Sequence, residues 1–466
     1  MNRLGGMHRF IRSKIAAAFV ESPQPAQERT RLALLTGVTA LAARVVSLVA
    51  SLITVRMTLH YLGQERYGMW MAISSGIAMM SFADFGISNG IINAVADTIG
   101  RGERAGTRRV ISSGLWILCL AAILLSIPTL GACIFMDMSG LFNVHSILAV
   151  RESRPTILIL TVCFLISIPL GVIRGTLTGM QAGAQGNLWT VAGTLCSLAC
   201  MLIVLQANGG LPLLAAALSI PPVLMSIING IVLFLGKRHD LMPSVEAIDW
   251  VTSRKLLQVG GMLFVMQVAI SIGMQADNVV IARLLGSSAV ATYAVPAKLF
   301  NIVNSVLVML SGAIWPAYAD AVARGDGAWI RRTFMRISAT GTIITVICAG
   351  SFVLCGEQIV RVWVGSDFHV SRLLLIVFAV QCVVYAYLQP IGFLLNGLAR
   401  YRIQALCAAL MAPANIGLSI ILVVRLGVVG AVLGSVIAQL LFQALPLSVV
   451  ARRELKVLKE CAWTSS

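Results

Sequence analysis

Residues 96–110 read ADTIGRGERAGTRRV, and residues 319–333 read ADAVARGDGAWIRRT. Seven of these fifteen positions are identical at a constant offset of 223 residues. The same offset pairs Leu62 and Gly63 with Leu285 and Gly286, so the register extends over two apolar segments and the polar loop between them. A repeat of this kind predicts two homologous halves, an arrangement typical of membrane transporters whose halves move about a central site.

The composition predicts that both halves lie in a lipid bilayer. Of the 466 residues, 58% are hydrophobic and 11% are charged, which leaves too little polar surface to cover a soluble protein of this length. Runs long enough to cross about 30 Å of hydrocarbon predict twelve spans. We place them at 32–59, 67–95, 110–136, 155–180, 187–206, 211–236, 257–282, 288–319, 331–355, 371–396, 401–424 and 427–450.

The predicted fold class is an all-α integral membrane protein with about twelve transmembrane helices in two six-helix bundles. Because six spans per half is an even number, both halves have the same orientation, and the predicted pseudo-twofold axis lies along the membrane normal. The predicted units are a basic N-terminal tail at 1–31, a bundle at 32–236, an inter-bundle linker at 237–256, a second bundle at 257–450 and a C-terminal tail at 451–466.

The formal net charge of +17 is explained by membrane topology. On the side that both termini share, the loops and tails carry 23 of the 35 Lys and Arg residues, whereas the opposite side carries 7. The positive-inside rule therefore predicts cytoplasmic termini and a cytoplasmic linker in a multi-pass membrane protein. With the basicity accounted for, nucleic acid is not an expected partner.

Several short motifs resemble catalytic sites, but their context argues against catalysis. Asp84-Phe85-Gly86 spells a kinase magnesium motif inside what we expect to be an apolar helix, and glycines 427, 430 and 434 lack the strand and turn of a dinucleotide site. The ten cysteines fall mostly in spans and the five histidines in tails and loops, so they do not predict a metal site. We expect no cofactor, no metal and no enzymatic activity.

Charged side chains inside the spans are the first candidates for function. A charge near the bilayer centre costs about 2.5–3.5 kcal/mol, so it needs a partner, an aqueous cavity or a role. We interpret the four cations as substrate-binding residues of a cationic cavity. The two acids either pair with cations or take up protons or sodium, and Asp277 has Arg283 nearby as an alternative partner. The set comprises Arg44, Arg56, Arg174, Lys298, Asp84 and Asp277.

Polar residues at helical spacings form stripes along four spans. Because a stripe that faced lipid would leave its groups unsatisfied, we expect these faces to line a common hydrophilic cavity between the halves. Hydrogen bonding between helices, at about 0.6 kcal/mol per contact, is the alternative. The stripes are Ser167, Arg174, Thr178 and Gln181 on the fourth span, Gln267, Ser271, Gln275 and Asn278 on the seventh, Asn301 and Ser305 beside Lys298 on the eighth, and Gln381, Tyr385, Gln389 and Asn396 on the tenth.

Five segments resemble the polysaccharide and O-antigen flippases of the multidrug/oligosaccharidyl-lipid/polysaccharide exporter superfamily. They are YLGQERYGMW at 61–70, FADFGISNG at 82–90, RLLG at 283–286, LNG at 395–397 and GVVGA at 427–431. The resemblance covers the chain from about residue 32. It implies two bundles arranged as a V around a cationic cavity. An undecaprenyl-diphosphate-linked oligosaccharide would pass through this cavity from the cytoplasmic to the outer leaflet of a bacterial inner membrane, for surface polysaccharide synthesis. Membrane lipids and a polysaccharide polymerase are the other implied partners.

Two further functions stay open. A cation-coupled multidrug or organic-cation antiporter of the same superfamily would need buried carboxylates that face the cavity. A non-transporting scaffold of the polysaccharide assembly machinery would not need a polar cavity. Because four buried cations outnumber two buried acids, the sequence favours an anionic cargo. The sugar repeat unit, the coupling ion and the oligomeric state stay open.

Overall fold

The computed structural model describes residues 25–135, 140, 143, 146–312, 314, 318, 321–322, 326–365, 368–398 and 400–463. Within these ranges the chain is helical and contains no β-strand. The helices are α1 (Pro25–Met79), α2 (Ile87–Gly100), α3 (Arg104–Phe135), α4 (Ile147–Gly179), α5 (Gly183–Gln206), α6 (Leu211–Ile231), α7 (Trp250–Leu285), α8 (Ser287–Gly312), α9 (Gly327–Val364), α10 (Arg372–Gly397), α11 (Tyr401–Leu426), α12 (Val428–Gln439) and α13 (Leu445–Trp463).

The prediction of an all-α membrane fold is confirmed. Among the described residues, ten helical segments are long and apolar enough to cross a bilayer. The first of them, Leu35–Asp84, contains 50 residues and a sharp backbone break at Gly63, so it has the length for two crossings. Helix α7, with 36 residues, also has sufficient length, although it is not among the ten. The count of twelve crossings and the pseudo-twofold axis stay predictions.

Equivalent residues of the repeat break the helices in both halves. Gly63 has φ +74° where α1 bends, and Gly286 has φ +89° between α7 and α8. Glycine adopts positive φ without the steric cost that a Cβ imposes. Helices α3 and α9 begin at Arg104 and Gly327, which are also related by the offset of the repeat. We call the side of the bundle with these two glycines the Gly63 end.

The second predicted span, at 67–95, is not one continuous helix. Residues Met80–Asp84 form a 3₁₀ turn, and Phe85 and Gly86 have φ +50° and +70° before α2 begins. The expectation that Asp84 lies inside an apolar helix was therefore wrong. Gly86 packs against Gly260 of α7, where an added Cβ would lie 2.6 Å from the Gly260 carbonyl oxygen. This close backbone contact between the halves leaves no room for a Cβ at either Gly86 or Gly260.

The two halves pack tightly at the Gly63 end. A side chain at Gly68 would overlap the Ser287 carbonyl oxygen, so only glycine permits this approach of α1 to α8. A buried apolar cluster continues the contact and contains residues of both halves, among them Tyr67 and Val290. Polar contacts across the interface include a bond from Asn278 Nδ2 to Ser75 Oγ at 2.7 Å. The halves are therefore closed against each other at this end.

A buried ion pair fixes the Gly63 end of the first half. Helix α4 begins at Ile147, eight residues before the predicted span, so Glu152 lies in the helix instead of in a loop. Its carboxylate accepts bonds from Arg66 Nε at 2.7 Å and Arg66 Nη2 at 2.8 Å. It also accepts the backbone N–H of Leu211 at 3.2 Å, where α6 begins without a capping side chain of its own. One carboxylate thus joins α1, α4 and α6.

The linker and the C-terminal segment are more ordered than the sequence predicts. Helix α7 begins at Trp250, so much of the predicted linker 237–256 is helical, and α13 continues through the predicted tail to Trp463. Between α6 and α7, Arg108 Nε donates to the Met242 carbonyl at 2.9 Å and Ser113 Oγ accepts from Asp249 N at 3.0 Å. These bonds hold the linker on α3. Of the predicted N-terminal tail, residues 1–24 lie outside the described ranges.

Candidate functional site

Three polar cavities lie next to one another beside and within the second half. The first, which we call the Asp277 cavity, has a volume of about 340 Å³. Helices α7, α8, α10, α11 and α12 form its walls, and among the described lining residues Arg44 of α1 alone comes from the first half. The predicted residues Asn301, Ser305, Gln381 and Tyr385 line it together with Arg44 and Asp277. The walls are thus shared unequally between the halves, unlike the central cavity expected from the sequence.

The second cavity, the Lys298 pocket, lies at the contact of α1 with α8 and has a volume of about 240 Å³. Arg44 and Lys298, from different halves, both line it. Arg44 Nη2 donates to Ser305 Oγ at 2.9 Å, and within the described part of the chain Lys298 forms no ion pair. The remaining lining side chains are neutral: Ser47, Leu48, Ser51, Leu52, Asn301 and Ile302. Two cations and several hydroxyl or amide groups therefore share one pocket, and no carboxylate is found among its described lining residues.

The third cavity, the amide pocket, lies between α10, α11 and the turn that joins α12 to α13. Its volume is about 310 Å³, and it shares Tyr385, Met411 and Gln439 with the Asp277 cavity. The predicted residues Tyr385, Gln389 and Asn396 line it. Apart from the Tyr385 phenol, its polar lining side chains are amides, and none of its described lining residues carries a charge. The Asp277 cavity shares Arg44, Asn301 and Ser305 with the Lys298 pocket, so it adjoins both of the other cavities through shared lining residues.

Asp277 is almost fully buried, with 4% of its surface exposed. Three hydroxyl groups donate to its carboxylate: Tyr293 and Ser435 to Oδ2 at 3.1 and 2.7 Å, and Ser419 to Oδ1 at 3.1 Å. The alternative pairing with Arg283 was wrong, because Arg283 Nη1 donates to the Gly140 carbonyl at 2.7 Å. The carboxylate forms no ion pair with any described cation.

In the oxygen cluster around Asp277, the close oxygen–oxygen contacts outnumber the hydroxyl hydrogens that could form hydrogen bonds in them. Ser435 Oγ also lies 2.9 Å from Asn415 Oδ1, and Ser419 Oγ lies 3.3 Å from that oxygen and 3.2 Å from the Ala431 carbonyl. Asn415 Nδ2 donates to the Gly273 carbonyl at 3.1 Å, which turns its oxygen toward the serines. Three hydroxyl hydrogens thus serve six oxygen–oxygen contacts. A proton or a cation on this cluster would remove the deficit.

Asp84 has a different environment. Its Oδ1 accepts from the backbone N–H of Gly86 at 3.0 Å and from Gln267 Nε2 at 3.1 Å. Among the ion pairs of the described ranges, none includes Asp84. It therefore holds the turn between the 3₁₀ segment and α2 and links the first half to α7.

The remaining predicted residues lie outside the three cavities. Arg56 is exposed and lines a shallow pocket between α1 and α9, and Arg174 is exposed on α4. Ser271 and Gln275 lie on α7 but do not line the cavities. Asn278 forms the hydrogen bond to Ser75 described above. A role in substrate binding for these residues stays a prediction.

Sequence reasoning missed two polar stripes, one in the oxygen cluster around Asp277 and one in the cavity walls. Asn415 and Ser419 are four residues apart on α11, and Ser435, Gln439 and Gln443 follow at intervals of four on α12 and the turn after it. The same spacing identified the stripes on the other spans and could have identified these. Among the described residues, no cluster of three or more His, Cys, Asp or Glu side chains could hold a metal ion.

Comparison of the sequence with known proteins identifies the family. The profile of the polysaccharide biosynthesis protein family matches residues 34–322. The chain belongs to this family. It is 22% identical over 399 residues to the "Uncharacterized membrane protein EpsK" of Bacillus subtilis strain 168, covering 82% of this chain and 76% of the relative. It is 20% identical over 409 residues to the "Putative O-antigen export protein" of Yersinia pseudotuberculosis, covering 84% and 89%.

Solved structures of the multidrug/oligosaccharidyl-lipid/polysaccharide exporter superfamily share the fold of this family member. An inward-facing multidrug transporter superimposes with a TM-score of 0.74 at 17% identity, covering 91% of this chain and 99% of that one. A superfamily transporter from Pyrococcus furiosus, described as having a binding pocket of reverse polarity, superimposes with a TM-score of 0.67 at 15% identity, covering 92% and 97%. The chain is therefore a multi-pass membrane protein of the polysaccharide biosynthesis family with the fold of these transporters, and the predicted resemblance is confirmed.

Proposed function

We propose that this exporter is a flippase, not an enzyme, and that it moves an undecaprenyl-diphosphate-linked oligosaccharide from the cytoplasmic to the outer leaflet of a bacterial inner membrane. The observation that carries the proposal is the Lys298 pocket, where Arg44 and Lys298 from different halves face a shared space without a carboxylate in its walls. The names of the relatives, among them an O-antigen export protein, support a surface polysaccharide as the product.

The chemistry of the Lys298 pocket suits a lipid-linked diphosphate. A guanidinium group binds two phosphate oxygens at once, and an ammonium group adds a compact second charge. Ser47 and Ser51 supply hydroxyl donors to further oxygens. Leu48, Leu52 and Ile302 line the same pocket, so the first isoprene units of the lipid would meet apolar side chains while the diphosphate meets the cations.

The closed Gly63 end supports transport by alternating access. In this conformation the halves are packed together at the Gly63 end, which the predicted topology places on the outer side of the membrane. A cargo at the Lys298 pocket would therefore be closed off from the outer side. Movement of the halves about the Gly63 and Gly286 breaks would open that end. Membrane lipids, and a polymerase on the outer side that receives the delivered unit, are the partners of such a cycle.

The test uses a strain from which the gene has been deleted and in which variants are expressed at matched membrane levels. Loss of one charge-assisted contact to the diphosphate costs about 1.5–3 kcal/mol, so Arg44→Ala and Lys298→Ala should each slow translocation about tenfold or more. The matched control Arg361→Ala removes a cation of an exposed ion pair on α9. The lipid-linked unit should accumulate in the inner leaflet in the deletion strain and in both variants, and normal flipping in both variants would refute the proposal.

We further propose that Asp277 couples transport to an ion gradient by taking up a proton or a sodium ion. The shortage of hydrogens in its oxygen cluster supports this role, whereas Asp84 has only neutral partners in a turn. In proteoliposomes, Asp277→Asn should abolish gradient-driven transport and leave passive exchange of the lipid. Stimulation by a sodium gradient at constant pH would identify sodium, and stimulation by a pH gradient without sodium would identify the proton. If either gradient still drove transport by the Asp277→Asn variant, this role of Asp277 would be excluded.

Export of organic cations is the second candidate function, because Asp277 lines a cavity and the solved multidrug transporters share the fold. Arg44 in the same cavity wall disfavours a cationic cargo by like-charge repulsion. Resistance to cationic drugs that depends on Asp277 and is unaffected by Lys298→Ala would favour this function over the flippase. A scaffold without transport would need none of the three polar cavities.

A further inference from the structure

The amide pocket has a composition that separates it from the two other cavities. Its polar lining side chains are Tyr385, Gln389, Asn396, Gln404, Gln439 and Gln443, and no lining residue carries a charge. An amide group both donates and accepts hydrogen bonds, as a sugar hydroxyl does. Leu388, Phe393 and Leu447 contribute apolar surface to the same walls. Neutral amides beside an aromatic ring are suited to a ligand with hydroxyl groups on its edges and C–H groups on its faces.

The backbone is irregular where it supplies two of these amides. Residues Leu440–Ala444 form a π-helical turn between α12 and α13. The turn begins directly after Gln439 and contains Gln443, and both side chains line the pocket. The π-helix is rare, and single π-helical turns of this kind occur frequently at functional sites. The irregularity therefore coincides with the pocket wall.

One of the amides lacks the partner that its burial requires. Gln439 Oε1 is buried and has no hydrogen-bond partner within the described part of the chain. Elsewhere in the pocket, Gln404 Nε2 donates to Asn396 Oδ1 at 2.9 Å, so that pair is already oriented. A buried acceptor without a donor costs free energy, so a rotation of the Gln439 amide that turns Oε1 into the pocket would let a hydroxyl group of a bound ligand satisfy it.

We propose that the amide pocket binds a neutral sugar of the lipid-linked cargo, in a subsite separate from the one that binds the diphosphate. This inference rests on the proposed flippase function. The shared walls of the three cavities would let a glycan extend from the Lys298 pocket through the Asp277 cavity to the amide pocket. The volume of about 310 Å³ is at the lower end of ligand pockets, so a single sugar ring fits better than a long glycan. A uronic acid is disfavoured because its carboxylate would be buried without a cation.

The test measures binding of three probes to the purified full-length protein in nanodiscs. The probes are undecaprenyl diphosphate, the same lipid with a neutral disaccharide, and the same lipid with a disaccharide that ends in a uronic acid. The neutral glycan should increase affinity over the bare lipid about tenfold, as expected for one or two additional hydrogen bonds, and the acidic glycan should not. An acidic glycan that binds as tightly as the neutral one would overturn the inference.

Two variants change the pocket in different ways. Gln443→Leu removes an amide, and Gly392→Leu fills space, since a Cβ at Gly392 would meet Gln404 Oε1 at an ordinary 3.6 Å. Each should remove the gain from the neutral glycan while the affinity for undecaprenyl diphosphate changes less than about twofold. Gln358→Leu, on the exposed surface of α9, is the control and should retain the gain.

The outcomes separate this inference from the proposed function. If the bare lipid binds and the neutral glycan adds nothing, or if both pocket variants retain the gain, the sugar subsite is refuted and the flippase proposal stands. If none of the three lipids binds to the folded protein, both are refuted.

Discussion

Replacing Gly260 with alanine should separate the two halves where the 3₁₀ turn meets α7. An added Cβ at Gly260 would lie 2.6 Å from the Phe85 carbonyl oxygen and 3.3 Å from the Gly86 carbonyl carbon. These neighbours are backbone atoms, so no change of side-chain rotamer can relieve the contact. To reach an ordinary separation of 3.4 Å, the two segments must move apart by about 0.8 Å.

The cost follows from the contacts that this movement weakens. Overpacking of this size costs about 1–3 kcal/mol. The Phe264 ring of α7 stacks on Phe85 with centroids 5.1 Å apart and meets Phe82 edge-on at 5.8 Å. Such ring pairs contribute about 0.5–1.5 kcal/mol each, and a gap of about 0.5–1 Å forfeits a quarter to a half of each contact. A difference of about 1.4 kcal/mol between two conformations changes their ratio tenfold.

The assay is a distance measurement by electron paramagnetic resonance between spin labels at Ile99 of α2 and Leu257 of α7, both of which are exposed. The background is a variant in which the native cysteines are replaced. Gly260→Ala should broaden the distance distribution toward longer values and lower the midpoint of thermal unfolding. Gly417→Ala is the control, because a Cβ there meets no atom within 4 Å. Identical distributions and midpoints for the two variants would refute the reasoning.

Two further predictions concern stability. Glu152→Gln should destabilise the first half by about 3–5 kcal/mol, because it breaks a buried ion pair and leaves the Arg66 charge uncompensated. Glu357 forms an exposed ion pair with Arg361, so Glu357→Gln is the control, with an expected loss of stability below about 1 kcal/mol. Equal unfolding midpoints for the two variants would contradict the stabilising role of the Arg66–Glu152 pair. Outside the spans, hydrogen bonds from the Thr252 hydroxyl and backbone N–H lower the pKa of Asp249, the N-cap of α7. Its ionised form therefore stabilises the fold above an unfolded-state pKa of about 3.9, and this contribution disappears as the pH falls through the lower folded-state pKa. Asp249→Asn should reduce the acid sensitivity of hydrogen exchange at the start of α7, and an unchanged pH profile would contradict this.

The regular parts of the fold could be predicted because they depend on local composition. A bilayer requires every backbone group to be satisfied within its own helix, so an apolar run of sufficient length is enough to predict a span. The irregular parts depend on a distant partner. The break at 80–86 occurs where Gly86 meets Gly260, and Glu152 is buried because Arg66 and the start of α6 surround it.

The candidate site likewise has features that follow from local sequence and features that depend on a distant partner. Asn301, Ser305, Gln381 and Tyr385, which the stripe spacing selects, line one cavity, because residues three and four apart share a helical face whatever the rest of the fold does. The spacing could not show which neighbour that face meets. Arg44 and Arg56 lie twelve residues apart on α1, yet one meets Ser305 of α8 and the other lies beside α9.

The sequence by itself determined the membrane environment, the helical fold, the repeat with its matched glycine breaks, and the family. It did so because hydrophobic length, helical periodicity and a constant offset are properties of the chain alone. Only the tertiary structure decided which charges share a pocket, which amides surround an uncharged cavity, and that Asp277 lies among hydroxyl groups instead of beside Arg283. Those arrangements depend on contacts between different helices, which for Arg44 and for the two serines at Asp277 join residues more than a hundred positions apart, so their geometry is fixed only when the helices pack.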